Sequence, residues 1–237
     1  MNLLLLPGFM TDRDLWSDLA DDLAQAGSIT DGDLSRDTTI GAMADRVIAE
    51  APERFALVGF SMGGYVARAI ARRVPDRVRA LVLIATSARA DTPAQAQRKA
   101  AAVAHVRHQG FAGLSRGAIL QSVHPARAGD AALIARIRAM GDRLGGAVFL
   151  RQAGQARESD LEQLGRIICP TLVVAAAQDA LRSLDEAREL RDGIPGATLT
   201  VIDDSGHMLP MEAPAALSGV IVPWLRSQAS GASTIGS

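Results

Sequence analysis

The segment "ALVGFSMGGYVARAI", residues 56–70, constrains the chain more than any other. An apolar run of strand type ends near Gly59 and an apolar run of helical type begins at Met62, with a single hydroxyl, Ser61, set among Gly59, Gly63 and Gly64. A strand that becomes a helix within two residues needs a sharp, strained turn, and the residues two positions away must lack bulky side chains. Such a turn leaves Ser61 at a helix N-terminus, where unpaired N–H groups and the helix dipole favour developing negative charge. The competing explanation is an ordinary glycine-rich loop of an unrelated α/β fold, and the rest of the chain has to separate the two.

The remainder repeats the same alternation. Strand patterns occur at 3–6, 55–60, 78–86, 171–177 and 197–203. Helical patterns fall at 12–27, where Leu15, Leu19 and Leu23 recur and Gly27 stops the run, then over 39–52, 62–74, 181–193 and 213–228. Continuous Val/Leu/Ile runs bounded by turn residues imply strands buried on both faces, hence an α/β fold with a mainly parallel central sheet flanked by helices. Residues 89–164 break the rhythm: helical segments at 92–108, 111–122, 128–143 and 146–157, with no strand run, read as an all-helical cap insertion. The expected organisation is a core of 1–88 and 165–229, a helical cap of 89–164, and a small polar tail, 230–237, that is flexible or frayed.

At 237 residues and 48% hydrophobic content the chain can bury a sizeable core, and a net charge of −1 gives no electrostatic reason to expect a nucleic-acid or membrane partner. The cap is the exception, with eleven Arg/Lys against six Asp/Glu. These are solvated helix faces or a cationic wall favouring an anionic substrate or acyl carrier. Cys169 is the only cysteine, so no intrachain disulfide is possible; beside Pro170 at the start of an apolar run it reads as buried and structural. The apolar start "MNLLLLPGFM" has no basic leader and is too short to span a bilayer, so it reads as a buried strand in a cytoplasmic protein.

A serine nucleophile needs a base. His105, His108 and His124 lie in the cap, and His105 with His108 has no carboxylate or cysteine company that would suggest a metal pair. His207 sits in "DDSGHMLPMEAP", directly after the last strand pattern, and strand ends on one edge of a parallel sheet converge. The imidazole in turn needs a carboxylate to set its tautomer. Asp179, immediately off the penultimate strand, is the first choice and Asp204 the second, ahead of Asp185 and Asp203. An oxyanion would take backbone N–H groups from Met62 and from the loop after the first strand, where Pro7 cannot donate, Gly8 lets the loop fold inward, and Phe9 is the candidate.

The order Ser61, Asp179, His207, the G-x-S-x-G turn and the helical insertion between strands resemble the α/β-hydrolase superfamily, and within it the capped, single-domain bacterial carboxylesterases. The resemblance spans residues 2–228. Pro7-Gly8 stands where that family usually has His-Gly, and the chain starts at what would be the family's third strand, so a smaller sheet without the leading hairpin is expected. The implied activity is a serine hydrolase acting on a small ester or thioester through an acyl-enzyme on Ser61, with no metal or cofactor, in a monomer or homodimer. A serine rather than an aspartate at 61 disfavours dehalogenase and epoxide-hydrolase chemistry. An enol-lactonase, C–C hydrolase or lyase using the same three residues stays open, as does a slow or non-catalytic ligand sensor. Phe9, Met10, Met62, Phe149, Met208 and Leu209 are the apolar pocket candidates, and Arg151 a residue that could reach a substrate carboxylate.

Overall fold

In the computed structural model, residues 1–231 are described, with side chains over 1–229. The chain opens with β1 (Asn2–Leu6), a 3-10 turn over Arg13–Leu19 and the short α1 (Ala20–Ala24), then β2 (Ser28–Asp31), α2 (Ile40–Glu50), β3 (Phe55–Phe60), α3 (Met62–Arg73) and β4 (Val78–Ile84). A helical stretch follows: α4 (Pro93–Gln109), α5 (Arg116–Ser122), α6 (Ala131–Gly154) and a 3-10 turn over Leu161–Arg166. The chain then returns through β5 (Thr171–Ala176), α7 (Leu184–Gly193), β6 (Thr198–Ile202), α8 (Leu209–Glu212) and α9 (Pro214–Gly231).

The six strands form one sheet in the order β2-β1-β3-β4-β5-β6, every pair parallel. β1 leads outward to β2, and the chain then crosses back over β1 to β3, so the order reverses between β1 and β3. In open parallel sheets the crevice for a ligand opens beyond the C-terminal strand ends at that reversal. The loops after β1 and β3 are those carrying Gly8, Phe9 and Ser61.

Side-chain alternation explains why both faces of the sheet are covered. Leu3 and Leu5 point into one layer with Val58, Phe60, Val82 and Ile84, packed against Leu15, Leu19 and Leu23 and against Leu217, Ile221 and Leu225 of α9. Leu4 and Leu6 point into the other with Leu57, Leu81 and Leu83, against Met43 and Val47 of α2, Val66 and Ile70 of α3, and Leu190 of α7. Trp16 packs edge-on to Phe60, with ring centroids 6.5 Å apart.

The elements differ from the sequence reading in several places, α5 for example starting at Arg116 and not at 111. β2 carries a single large apolar residue, Ile29, because as an edge strand it stays largely solvated and shows no apolar run. The helical pattern at 12–27 divides into a 3-10 turn and one turn of α-helix. The segments expected at 128–143 and 146–157 are one helix, interrupted at Gly145 with φ 75°. Of the expected tail 230–237, Ser230 and Gly231 are the last residues of α9 and 232–237 lie outside the described residues.

Candidate active site

Ser61 sits between β3 and α3 with φ 50° and ψ −110°, a conformation that costs a side-chain-bearing residue on the order of 1–3 kcal/mol. Its neighbours impose that strain. The Ser61 N–H donates to the Ile84 carbonyl at 2.9 Å, and its own carbonyl accepts from Thr86 Oγ1 at 2.7 Å and the Gly64 N–H at 3.0 Å. A Cβ on Gly59 would lie 2.7 Å from the Gly63 carbonyl oxygen, and one on Gly63 would run into the Leu6 carbonyl. Both glycines are therefore required by close backbone approach.

The loops after β5 and β6 bring the partners of Ser61. His207 Nε2 is 2.9 Å from Ser61 Oγ and its Nδ1 is 2.8 Å from Asp179 Oδ2. The other Asp179 oxygen, Oδ1, accepts the N–H groups of Leu181 at 2.7 Å and Arg182 at 2.9 Å. All four contacts of the carboxylate and ring are thus fixed in direction, and the His207 ring lies against Phe60 at 5.1 Å. Asp204 takes up a left-handed turn conformation, φ 52°, and is exposed.

The turn after β1 is held open by its own polar atoms. The Gly8 N–H donates to Thr11 Oγ1 at 2.8 Å, and the Met10 N–H to Gln152 Oε1 at 2.9 Å. Between them, the Phe9 N–H finds no hydrogen-bond acceptor among the described residues. The Met62 N–H, first in α3, has no intrahelical acceptor. Gly8 lies against Phe60 and Ser61: a Cβ there would be 2.8 Å from the Phe60 ring and 3.3 Å from Ser61 Cβ.

A cavity of about 750 Å³ contains Ser61 and His207 and runs between the sheet and the helices α4, α5 and α6. Phe9, Phe149 and Met208 line it as expected, joined by Phe111, which packs on Phe149 at 5.3 Å. Four expected lining residues do not, among them Met62, whose side chain is fully buried in the layer with Val66 and Ile70. Met10 is fully buried in a cluster with Val103 and Val148, and Leu209 is fully buried in the layer beneath α9. Arg151 spends its Nε–H on the Ser35 carbonyl at 2.7 Å and does not line the cavity.

Two residues outside the sequence expectation hold the site. Gln152 of α6 pins Met10 and also donates to the Leu34 carbonyl at 3.1 Å. Glu212 of α8 accepts the Gly206 N–H at 3.1 Å and the His124 N–H at 2.6 Å, tying the His207 turn to the end of α5, and burial pushes its carboxyl above the ordinary range. Its position five residues after His207, on the short helix that turn feeds, was the available signal. Cys169 is buried and its thiol is pushed up to about 11 by that burial. Among the described residues no group of three or more His, Cys, Asp or Glu could hold a metal ion, and no helix is long and apolar enough to cross a membrane.

A family model described as the alpha/beta hydrolase fold matches residues 51–214. The chain belongs to that family. It is 34% identical over 175 residues, 70% of this chain and 68% of the relative, to a pimeloyl-[acyl-carrier protein] methyl ester esterase of Chromobacterium violaceum. It is 30% identical, over 87% of this chain and 90% of the relative, to the protein of the same description from Aromatoleum aromaticum. Among solved structures, a thermophilic esterase from Thermogutta terrifontis with malate bound superposes with a TM-score of 0.84 at 28% identity, covering 96% of this chain and 90% of that one. The enol-lactonase from Burkholderia xenovorans shares the fold, with a TM-score of 0.82 at 20% identity over 94% of this chain and 89% of that one.

Proposed function

We propose that the protein is a serine hydrolase that cleaves a small carboxylic ester or thioester. The observation that carries this reading is the His207 ring, bonded on one nitrogen to Ser61 Oγ and on the other to an Asp179 carboxylate whose second oxygen is already saturated by two N–H groups. His207 takes the Ser61 proton as Oγ attacks the acyl carbon, and Asp179 holds the tautomer with Nδ1 protonated and stabilises the imidazolium. The tetrahedral oxyanion is received by the Phe9 and Met62 N–H groups, which have nothing else to bond. The imidazolium then protonates the leaving alcohol or thiol. Water, deprotonated by His207, attacks the acyl-enzyme and releases the acid.

Residues 89–164 act as the cap that closes this site. Relatives described as methyl ester esterases and a 28%-identical esterase structure support ester hydrolysis over the lactone, C–C bond and sensor alternatives. The test is hydrolysis of p-nitrophenyl acetate and butyrate by the wild type and by Ser61→Ala, together with fluorophosphonate labelling. Turnover lost on substitution, with Ser61 as the labelled residue, is expected. A folded wild type that neither turns over nor labels would end the assignment.

A further inference from the structure

The cavity holding Ser61 is far more cationic than the protein around it. Arg98, Lys99, Arg116, Arg138, Arg157 and Arg182 line it against one carboxylate, Asp91, although the whole chain carries a net charge of −1. Arg98, Arg116 and Arg138 are exposed and stand without an ion-pair partner among the described residues.

Arg157 and Arg182 are the informative pair because both side chains are mostly buried. The Arg157 guanidinium lies over the Tyr65 ring at 5.4 Å and comes no nearer than 3.7 Å to Asp91, whose carboxylate already holds Lys99. Arg182 Nη1 donates to Glu186 Oε1 only at a long 3.5 Å, while Oε2 accepts the Ser183 N–H at 2.6 Å and the Ser183 hydroxyl at 3.1 Å. The Nε of each arginine is shielded from water and donates to nothing among the described residues. Burial and the neighbouring Arg182 charge both push Arg157 toward losing its proton. Two adjacent buried cations with unspent donors are costly unless a third party supplies negative charge. Arg182 follows Asp179 by three residues, so that charge would sit at the edge of the catalytic site.

We propose that Arg157 and Arg182 form an anion subsite of this cavity and that the preferred esters carry a carboxylate. The proposal rests on the ester-hydrolase reading above and names its substrate class. The matched aromatic lining of Phe9, Phe111 and Phe149 takes the carbon chain between the ester and its charged group.

The experiment compares pairs of esters equal in length and differing in charge. With a constant leaving group, mono-p-nitrophenyl glutarate is set against p-nitrophenyl pentanoate; with a constant acyl group, 4-carboxyphenyl butyrate is set against phenyl butyrate. The wild type is expected to favour the charged member of at least one pair by about tenfold or more in kcat/KM, and the responding pair tells which side of the ester meets the arginines. Arg157→Gln and Arg182→Gln should collapse that ratio, and Arg182→Lys should restore part of it. Separately, free glutarate titrated calorimetrically into Ser61→Ala protein should bind saturably, and more weakly after either arginine is replaced. This binding arm needs no turnover, so it judges the subsite even if the hydrolase reading fails. No charge preference in either pair in the wild type, or glutarate binding indifferent to both arginines, overturns the proposal.

Discussion

Replacing Asp179 by asparagine separates orientation of the imidazole from structural support. Oδ1 of Asp179 accepts two N–H groups, from Leu181 and Arg182 at 2.7 and 2.9 Å, and Oδ2 meets His207 Nδ1 at 2.8 Å. Asparagine has one acceptor oxygen. Turning its NH2 toward the two N–H groups would leave two donors unpaired in a buried place, at about 1–3 kcal/mol each, so the oxygen stays there and the NH2 faces His207. That NH2 donates to Nδ1 and forces the proton onto Nε2, the nitrogen that must be bare to accept from Ser61. The expected loss in kcat is about 10⁴-fold, the size of effect such a tautomer reversal has elsewhere, or about 5.5 kcal/mol in the barrier. Stability should change by only about 1–2 kcal/mol, because the loop bonds survive. Asp179→Ala inverts the order. It permits either tautomer, so its kcat falls no further than that of the asparagine variant, but it abandons two loop donors and unfolds more easily by about 2–4 kcal/mol. Steady-state ester hydrolysis and urea denaturation of both variants test the pair. An asparagine variant keeping more than about 3% of wild-type kcat, or unfolding more easily than the alanine variant, would refute the reasoning.

Asp160→Ala should be among the most destabilising changes, by about 3–5 kcal/mol in chemical denaturation, because it strands the fully buried Arg68, paired at 2.9 Å, and releases Arg72, paired at 2.7 Å. Glu212→Gln replaces one of two acceptors by a donor facing an N–H, so it should lower stability and raise KM or lower kcat through the His207 turn. Because burial raises the Glu212 carboxyl, the native state holds its proton more tightly than the unfolded chain, and this contribution is full below the unfolded value and lost as pH rises through the native one. Urea melts should therefore show a smaller gap between wild type and Glu212→Gln at pH 7.5 than near pH 5; a larger gap would contradict the direction. Native Cys169, with its thiol near 11 against an ordinary 9.0, should alkylate at pH 8 roughly 100-fold more slowly than an unperturbed thiol, as intact mass would register.

The chemistry-bearing residues were legible because the sheet itself places them. Ser61 follows β3 directly and Asp179 lies three residues beyond β5. His207 is reached five residues after β6, on a turn that starts at Asp203. A parallel sheet aims all those ends at one edge, so strand patterns alone were enough to gather the three. The cavity wall was not legible in the same way. Which side of α6 faces inward depends on how α4 and α6 pack together and on the break at Gly145, neither of which has a periodic signature in "AALIARIRAMGDRLGGAVFLRQAG". Hence the sequence points to Arg151, although it bonds to Ser35, while Arg157, six residues on and past the helix end, lines the cavity. β2 escaped for the opposite reason, since an edge strand in water has no apolar run to show.

The hydrogen bonds of the insertion give it a larger part than covering the site. Gln152 of α6 holds Met10, next to the Phe9 N–H, and at the other side the Met208 N–H donates to the Ser122 carbonyl at the end of α5 at 2.9 Å. Glu212 adds the bond to the His124 N–H, two residues further along. The loop that carries the Phe9 N–H and the turn that carries His207 are therefore each tied to the helices above the sheet, not only to the strands below them. Replacing residues 89–164 with a short linker would not merely widen access to Ser61. It would free the Met10 and Met208 N–H groups, leave Glu212 with a single partner, and let the two sides of the site move independently. Activity toward even the smallest esters should then fall, whereas a cap that served only to exclude water or select substrates would leave acetate-ester turnover intact or faster.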